Sequence, residues 1–300
     1  MNQPYYTPYD ADGKIGDRIL NYDGSPTDRY TLEALMFLNQ GKGNNNQFTG
    51  SYYVELTPVE RLRFRTQYGV DYFNFRSTSM NPPSSPISQG VGSRSESFQQ
   101  AISQTVTNTL SYQWDINHDH NFMALVGQEG TKYQSESFGV SLSGMTDDRL
   151  MLFNAGGNDL EHLSKPSMSK AAYAYLSFFG QVNYDYLGKY FLDLSLRSDE
   201  SSRFGANNRR ANFWSVGTMW NITSEDFMQN VDWVNNLSAK VSYGTTGNSD
   251  IGNYAHLGLV SPGYAYKGIS GWGLSQVANE NLGWETQSKL TAGFNAGLFN

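Results

Sequence analysis

Apolar and polar positions alternate with period two along most of the chain from residue 47 onward. In YFLDLSLR, Tyr190, Leu192, Leu194 and Leu196 fall on one side and Phe191, Asp193, Ser195 and Arg197 on the other. In FWSVGTMWNI, Trp214, Val216, Thr218, Trp220 and Ile222 oppose Phe213, Ser215, Gly217, Met219 and Asn221. Such alternation predicts strands whose two faces meet different surroundings. The same pattern predicts strands over 47–56, 61–76, 96–116, 120–137, 169–186, 190–198, 211–222, 236–245 and 284–299. In the second of these, Leu62, Phe64, Tyr68, Val70 and Tyr72 oppose Arg63, Arg65, Gln67 and Asp71. Two stretches read as helical: TLEALMFL at 31–38, and TSEDFMQNVDWV at 223–234 with Thr223 or Ser224 as its cap. Residues 1–46 read as a loop region, with the polar run GKGNNNQ at its end, and 47–300 as the strand-rich part.

The connections alternate in length. Short turns are expected at 57–60, 117–120 and 187–189, and long loops at 77–95, 138–168 and 246–283, with a polar loop at 199–210. In an up-and-down meander, alternate connections lie at the same end, so one end carries turns and the other carries loops. Outer-membrane barrels have this asymmetry, with their apolar face toward lipid and their polar face toward the lumen. A soluble sandwich would turn the same apolar face inward. The expected architecture is therefore all-β: an antiparallel up-and-down transmembrane β-barrel, partial at about nine strands.

Composition strengthens this picture. Apolar residues make up only 38% of the chain, too few for a large buried core, whereas aromatics reach 14%, with 20 tyrosines. Barrels fit because only alternate residues meet lipid, and tyrosines collect at the interfaces. The net charge of -7 disfavours nucleic acid, which wants a basic patch. Cysteine is absent, so disulfides and thiolate metal sites are excluded. No stretch approaches the roughly 18 consecutive apolar residues of a transmembrane helix, and the start MNQPYYTPYDADGK does not read as a signal peptide.

Four ordered blocks carry a resemblance: LSLRSDESSRFGANNR at 194–209, FWSVGTMWNITSEDFM at 213–228, LSAKVSYGTTGNSDIGNY at 237–254 and NENLGWETQSKLTAGFNAGLFN at 279–300. With the run SFFGQVNYDYLGKYFLDLSLR at 177–197, they resemble the SusC/RagA family of TonB-dependent outer-membrane transporters. The resemblance implies a 22-stranded barrel in the outer membrane of a Gram-negative bacterium, filled by an N-terminal plug and energised by TonB. It also implies a SusD-like surface lipoprotein as partner and import of oligosaccharides or peptides without covalent chemistry. No plug, TonB box or final barrel strand is legible, so the chain reads as an internal barrel fragment.

Candidate chemistry is sparse. No HExxH, GxSxG or P-loop pattern occurs, so no catalytic residue, cofactor or enzyme activity is expected. His118 and His120 flank Asp119 in a short turn, and Asp10 and Asp12 precede Gly13; neither group has a full ligand set, so no metal site is expected. Arg63, Arg65, Asp71, Asp193, Arg197 and Lys240 are expected on the lumen side, as a hydrated wall that can also meet a plug or polar solute. Arg203, Arg209 and Arg210 in SSRFGANNRR, and Tyr254, Tyr264, Tyr266 and Trp272 in the long glycine-rich loop, are the candidates for contact with substrate or partner. Leu192, Leu194, Leu196, Trp214 and Trp220 are expected to face lipid. The competing reading is a soluble or surface-exposed β-rich carbohydrate-binding module, in which those five residues would be buried against a second layer.

Overall fold

The computed structural model describes residues 18–20, 26–30, 40–85, 88–157 and 161–299. The patch at 31–38 and the Asp10–Asp12 turn lie outside them. Thirteen strands are described: β1 Arg18–Leu20, β2 Pro26–Tyr30, β3 Gln40–Val59, β4 Leu62–Asn81, β5 Gly92–Ile116, β6 His120–Met145, β7 Ser167–Tyr186, β8 Tyr190–Ser201, β9 Arg210–Asn221, β10 Val234–Asn248, β11 Leu259–Tyr266, β12 Ile269–Gln276 and β13 Glu285–Leu298. Nine form one sheet in the order β3-β4-β5-β6-β7-β8-β9-β10-β13, and β1-β2 and β11-β12 form separate two-stranded sheets. Sequence neighbours are thus sheet neighbours, except where the β11-β12 hairpin leaves the sheet between β10 and β13.

The alternating pattern locates every strand of the large sheet, but seven of the nine run further than it predicts, all except β9 and β13. β3 begins at Gln40, inside the polar GKGNNNQ run, and β6 continues through Met145 rather than ending at Ser137. Backbone pairing does not require apolar side chains, so a polar strand end is invisible to hydropathy.

The helix expected over 223–234 is not formed. Two single 3-10 turns stand there, Ile222–Ser224 and Asp226–Met228, with the backbone extended at Glu225 between them. The expected cap is otherwise engaged: the Thr223 hydroxyl accepts from the Leu237 amide and donates to the Leu237 carbonyl. Glu225 is drawn back over the sheet, accepting from Trp220 Nε1 at 2.9 Å. The hairpin β11-β12 is a further departure from the expected loop at 246–283. Its turn is Lys267-Gly268, both with positive φ (50° and 80°), the conformation that matches strand twist in a tight hairpin.

Register fixes what shares a face. Across β7 to β13 the pairs include Val182↔Leu194, Leu194↔Val216, Leu196↔Trp214, Tyr243↔Val216 and Tyr243↔Leu290. Those residues make one apolar face. The opposite face carries Asn183↔Asp193, Ser195↔Ser215, Lys240↔Met219 and Ser242↔Thr291. No second layer covers the apolar face among the described residues: Leu194, Leu196, Trp214 and Trp220 are all exposed, Leu196 at 61%, and Leu192 is half-buried.

The chain divides into two compact units, 1–48, 72–102 and 135–171 in one, 49–71, 103–134 and 172–300 in the other. In the first, Leu142, Met145 and Met151 form a small apolar cluster with Met80 and Phe153 against it. In the second, the short turns lie side by side: the Gln113 amide donates to the Arg61 carbonyl, Leu187 to Asp119 and Asn221 to Lys189. The 187–189 turn places Leu187 and Gly188 at positive φ (54° and 66°). A left-handed leucine costs about 1–2 kcal/mol. Leu187→Asn is therefore expected to raise stability by up to about 1 kcal/mol and Gly188→Val to lower it by about 1–2 kcal/mol, read as opposite shifts of the urea unfolding midpoint.

Candidate functional site

At the loop end of the second unit, two segments far apart in sequence interlock. The Gly205 amide donates to the Leu282 carbonyl (2.9 Å) and the Asn207 amide to the Glu280 carbonyl (3.2 Å). Asn207 and Asn208 side-chain amides donate to Asn281, and Trp284 Nε1 donates to the Arg209 carbonyl at 2.9 Å. Phe204 is fully buried, its ring 4.8 Å from that of Trp284, which also meets Phe213 edge-on at 5.7 Å. A Cβ on Gly205 would sit 2.1 Å from the Glu280 carbonyl oxygen, so only glycine permits this closeness. The loop 202–209 and the segment 279–284 thus form a latch.

Arg203 is part of that latch. Its guanidinium donates to Asn253 Oδ1 (2.9 Å) and the Ser249 carbonyl (3.2 Å) and lies 4.1 Å from the ring centroid of Tyr173. Its own carbonyl meets His256 Nδ1 at 3.1 Å. Tyr254, at positive φ, accepts the Ala172 amide on its hydroxyl at 2.9 Å. The Gln276 side-chain amide donates to the carbonyls of Tyr254, Ala255 and Leu257. Arg203, Tyr254 and Gln276 therefore clamp the two roots of the excursion that carries the hairpin. Arg210 pairs with Glu200 across the β8-β9 ladder (3.0 Å), while the exposed Arg209 contributes its carbonyl to the latch.

The hairpin itself presents aromatics. Tyr264↔Gly271 and Tyr266↔Ile269 lie on one face, the Tyr264 ring filling the space over Gly273. Val260↔Leu274 and Pro262↔Trp272 lie on the other, across a bulge at Gly263. Tyr266 and Trp272 are 76% and 71% exposed, so both faces offer large rings to solvent. The structure thus separates the seven sequence candidates. Arg203 and Tyr254 are tethers, Arg210 sits on the sheet edge of the loop, and Tyr264, Tyr266 and Trp272 are available. Gln276, missed by sequence reasoning, bears no signal in the sequence, since a glutamine among glycines and serines reads as loop filler.

The polar face carries the charged wall residues. Arg197 donates to Asp199 (2.6 Å) and Ser177 (3.0 Å), pairs with Glu129 (3.4 Å) and lies over Phe179. Arg63 pairs with Glu55 (3.4 Å) and Arg65 stacks on Tyr53 at 4.1 Å. A groove of about 500 Å3 on this face is lined by Asn183, Asp185, Phe191, Asp193, Met219 and Lys240 over Gly217. At the turn end, Lys189 donates to Glu225 (3.1 Å) and Asp226 (3.4 Å). The Tyr190 hydroxyl, then Trp220 and Lys189, hold the Glu225 carboxyl below its ordinary value, and the bond to Glu225 holds Lys189 above its own. His120, the first residue of β6, bonds Tyr184 Oη through Nδ1 (2.8 Å), and Asn117 and His118 in the preceding turn take positive φ.

Comparison with known proteins sets this geometry in context. A family model described as "TonB dependent receptor-like, beta-barrel" matches residues 2–300. Among curated proteins, the TonB-dependent receptor P26 of Formosa agariphila is 31% identical over 273 residues, spanning 89% of this chain and 28% of that protein. The TonB-dependent receptor SusC of Bacteroides thetaiotaomicron is 26% identical over 294 residues, spanning 93% of this chain and 28% of SusC. A solved structure of the RagAB peptide transporter superposes with a TM-score of 0.89 and 37% identity, covering 99% of this chain and 33% of that chain. The chain thus spans less than a third of the length of the curated relatives it matches.

Gly205→Ala is expected to cost about 1–3 kcal/mol through overpacking and to expose 249–283 to limited proteolysis, whereas Arg209→Ala leaves both unchanged. The turn cluster has a defined pH window. The lowered Glu225 contributes stability above its ordinary value, which is lost only as pH falls through the lowered one. The raised Lys189 contributes below its ordinary value, which is lost as pH rises through the raised one. A carboxyl 13C titration of Glu225 should show a midpoint below that of a free glutamate, and Lys189→Met should move it upward.

Proposed function

We propose, because the chain belongs to the TonB-dependent receptor-like β-barrel family, that it forms wall and outer rim of an outer-membrane importer. The observation that carries this reading is the two-faced sheet: an apolar face that is exposed and a polar face lined with paired charges. Family proteins are receptors and transporters rather than enzymes, and are proteins of the Gram-negative outer membrane.

In this reading Leu192, Leu194, Leu196, Trp214 and Trp220 face lipid. Aromatic rings run in contact across the strands near the short turns, from Tyr112 through Trp114, Phe122, Tyr184, His120, Tyr186 and Tyr190 to Trp220. That row suits the periplasmic girdle of a barrel. About 9–11 tilted residues cross the hydrocarbon, so counting from Trp220 along β9 brings Arg210 to the outer interface. The latch, lying beyond Arg210, then stands outside the membrane, and the 25 and 26 residues of β5 and β6 far exceed the length needed to cross it. The soluble-module alternative wants the apolar face buried and is not favoured.

The whole protein would be a 22-stranded barrel with an N-terminal plug, driven by TonB and capped by a SusD-like lipoprotein, importing oligosaccharides or peptides. The likeness to a peptide transporter favours peptides. The Phe191–Lys240 groove then faces the plug or the passing solute. The β11-β12 hairpin, with Tyr264, Tyr266 and Trp272, reaches outward to cargo or lid.

Two tests follow from this reading. Leu194→Arg should lower the heat-modifiable, folded fraction in outer membranes by the equivalent of about 2–4 kcal/mol, while Ser195→Arg, on the other face, should leave it nearly unchanged. Equal effects would overturn the assignment of faces. Replacing Tyr264, Tyr266 and Trp272 together by alanine in the full-length protein should reduce uptake of labelled oligopeptide or co-purification of the lipoprotein; if neither changes, the hairpin has no such role.

A further inference from the structure

We infer that the outer edge of β12 docks an extended oligopeptide, which joins the β11-β12 ribbon as a third strand and is recognised through its main chain; the inference rests on the importer reading above. Among the described residues, β12 pairs with β11 alone. The two outer edges of this ribbon differ in chemistry. On β11, Pro262 has no N–H and stands beside Gly263, where φ is 114° and the pairing shifts. A proline and a bulge are devices that close an edge to a further strand. From Ile269 to Leu274, β12 has neither, and it carries no charged side chain. One edge is thus blocked and the other is open.

The ladder determines which groups the open edge offers. The two-residue turn Lys267-Gly268 closes on Tyr266↔Ile269 as a hydrogen-bonded pair, and such pairs alternate along an antiparallel ladder. Ile269, Gly271 and Gly273 therefore turn their N–H and C=O groups toward β11, and Ser270, Trp272 and Leu274 turn theirs outward. A guest strand bonded there would lay alternate side chains against the exposed Trp272 and Leu274 on one face. On the other face, Gly271 and Gly273 have no Cβ to hold the guest away, and the Tyr264 ring lies close over Gly273. Main-chain bonds then supply affinity while the side chains are only loosely selected, as in other cases of strand addition. Charge sets the direction. Lys267, exposed in the turn, is the one charged residue between Leu257 and Asn279. β12 runs away from this turn, so an antiparallel guest ends beside Lys267 with its C-terminal carboxylate, whereas a parallel guest would bring its ammonium there. The antiparallel ladder is also the more stable one. An oligosaccharide has no N–H and C=O groups at strand spacing, so this edge selects peptides.

The test is fluorescence anisotropy on the full-length protein. The probe is an N-terminally labelled peptide of about eight residues, alternating valine and serine, long enough to span the open edge. Two further peptides carry N-methyl groups on every second residue, in complementary sets. One set should weaken binding by about tenfold or more and the other by less than about twofold, because only one edge of the guest faces β12. Amidating the C-terminus should weaken binding by about two- to fivefold, and Lys267→Met should erase that difference. Ser270→Pro removes an outward N–H without touching a bond to β11, and should cost as much as the damaging set. The methylated peptides are read on the wild type, so the inference stays testable if Ser270→Pro misfolds. No binding of the parent peptide, or equal losses from both methylated sets, overturns it. So does a Ser270→Pro protein that binds peptide normally and loses only the lipoprotein or self-association, since the edge then serves the lid or a second copy. Absence of any peptide uptake strikes the importer reading itself; peptides taken up normally with both methylated sets bound alike refute this inference alone.

Discussion

Strand register is the constraint on which everything else here depends. A sheet with period-two side chains exchanges its two faces when a strand slips by one residue. Here such a slip in β8 would send Leu192, Leu194 and Leu196 to the side of Lys240 and Arg197 to the side of Trp214. Register is held at one end by turns that accept left-handed residues, Asn117-His118 and Leu187-Gly188. Along the strands it is held by notches. The Phe179 ring lies over Gly127, and Ser215 lies against Gly244, so that each glycine admits a neighbour that any side chain would exclude.

The same constraint explains why order persists where there is almost no core. Among the described residues, the buried apolar side chains are Leu142, Met145, Met151, Phe204, Phe213 and Val234. These are too few to hold long loops by apolar burial. The loop end of the second unit instead relies on backbone carbonyls met by side-chain donors: Arg203 on Ser249, Gln276 on three carbonyls, Trp284 on Arg209. Hydrogen bonds are directional, so the latch forms only if β8, β9 and β13 arrive in register. Register thus fixes where the hairpin's roots are held.

Much of this was legible in the sequence. The nine strands of the sheet, the alternation of turns and loops and the identity of each face follow from period-two spacing, because that spacing is a direct image of pleat geometry. What was not legible depends on partners distant in sequence. The helix expected at 223–234 satisfies every local rule, yet Leu237 takes its cap hydroxyl and Trp220 and Lys189 take its first-turn acid. Arg203 reads in sequence as a candidate contact residue or as loop packing, and nothing near it in sequence reveals that its packing partners are Asn253 and Tyr173. The hairpin was hidden by its glycines, although Tyr264, Tyr266, Gly271 and Gly273 do alternate with large and absent side chains, and Lys267-Gly268 is a possible tight turn. The four sequence blocks that carry the family resemblance coincide with the strands and latch segments, not with the exposed hairpin aromatics.

That coincidence bears on how the surface divides its labour. Latch residues contact one another: Gly205 needs Glu280, Asn208 needs Asn281, and Trp284 needs Phe204. A change in one strands its partner, so the set can vary only together. Tyr266 and Trp272 are under no such restraint, being largely exposed on a two-stranded ribbon whose only rigid requirements are its turn and its bulge. A ribbon joined to a fixed latch can therefore change its rings without disturbing the wall beneath it.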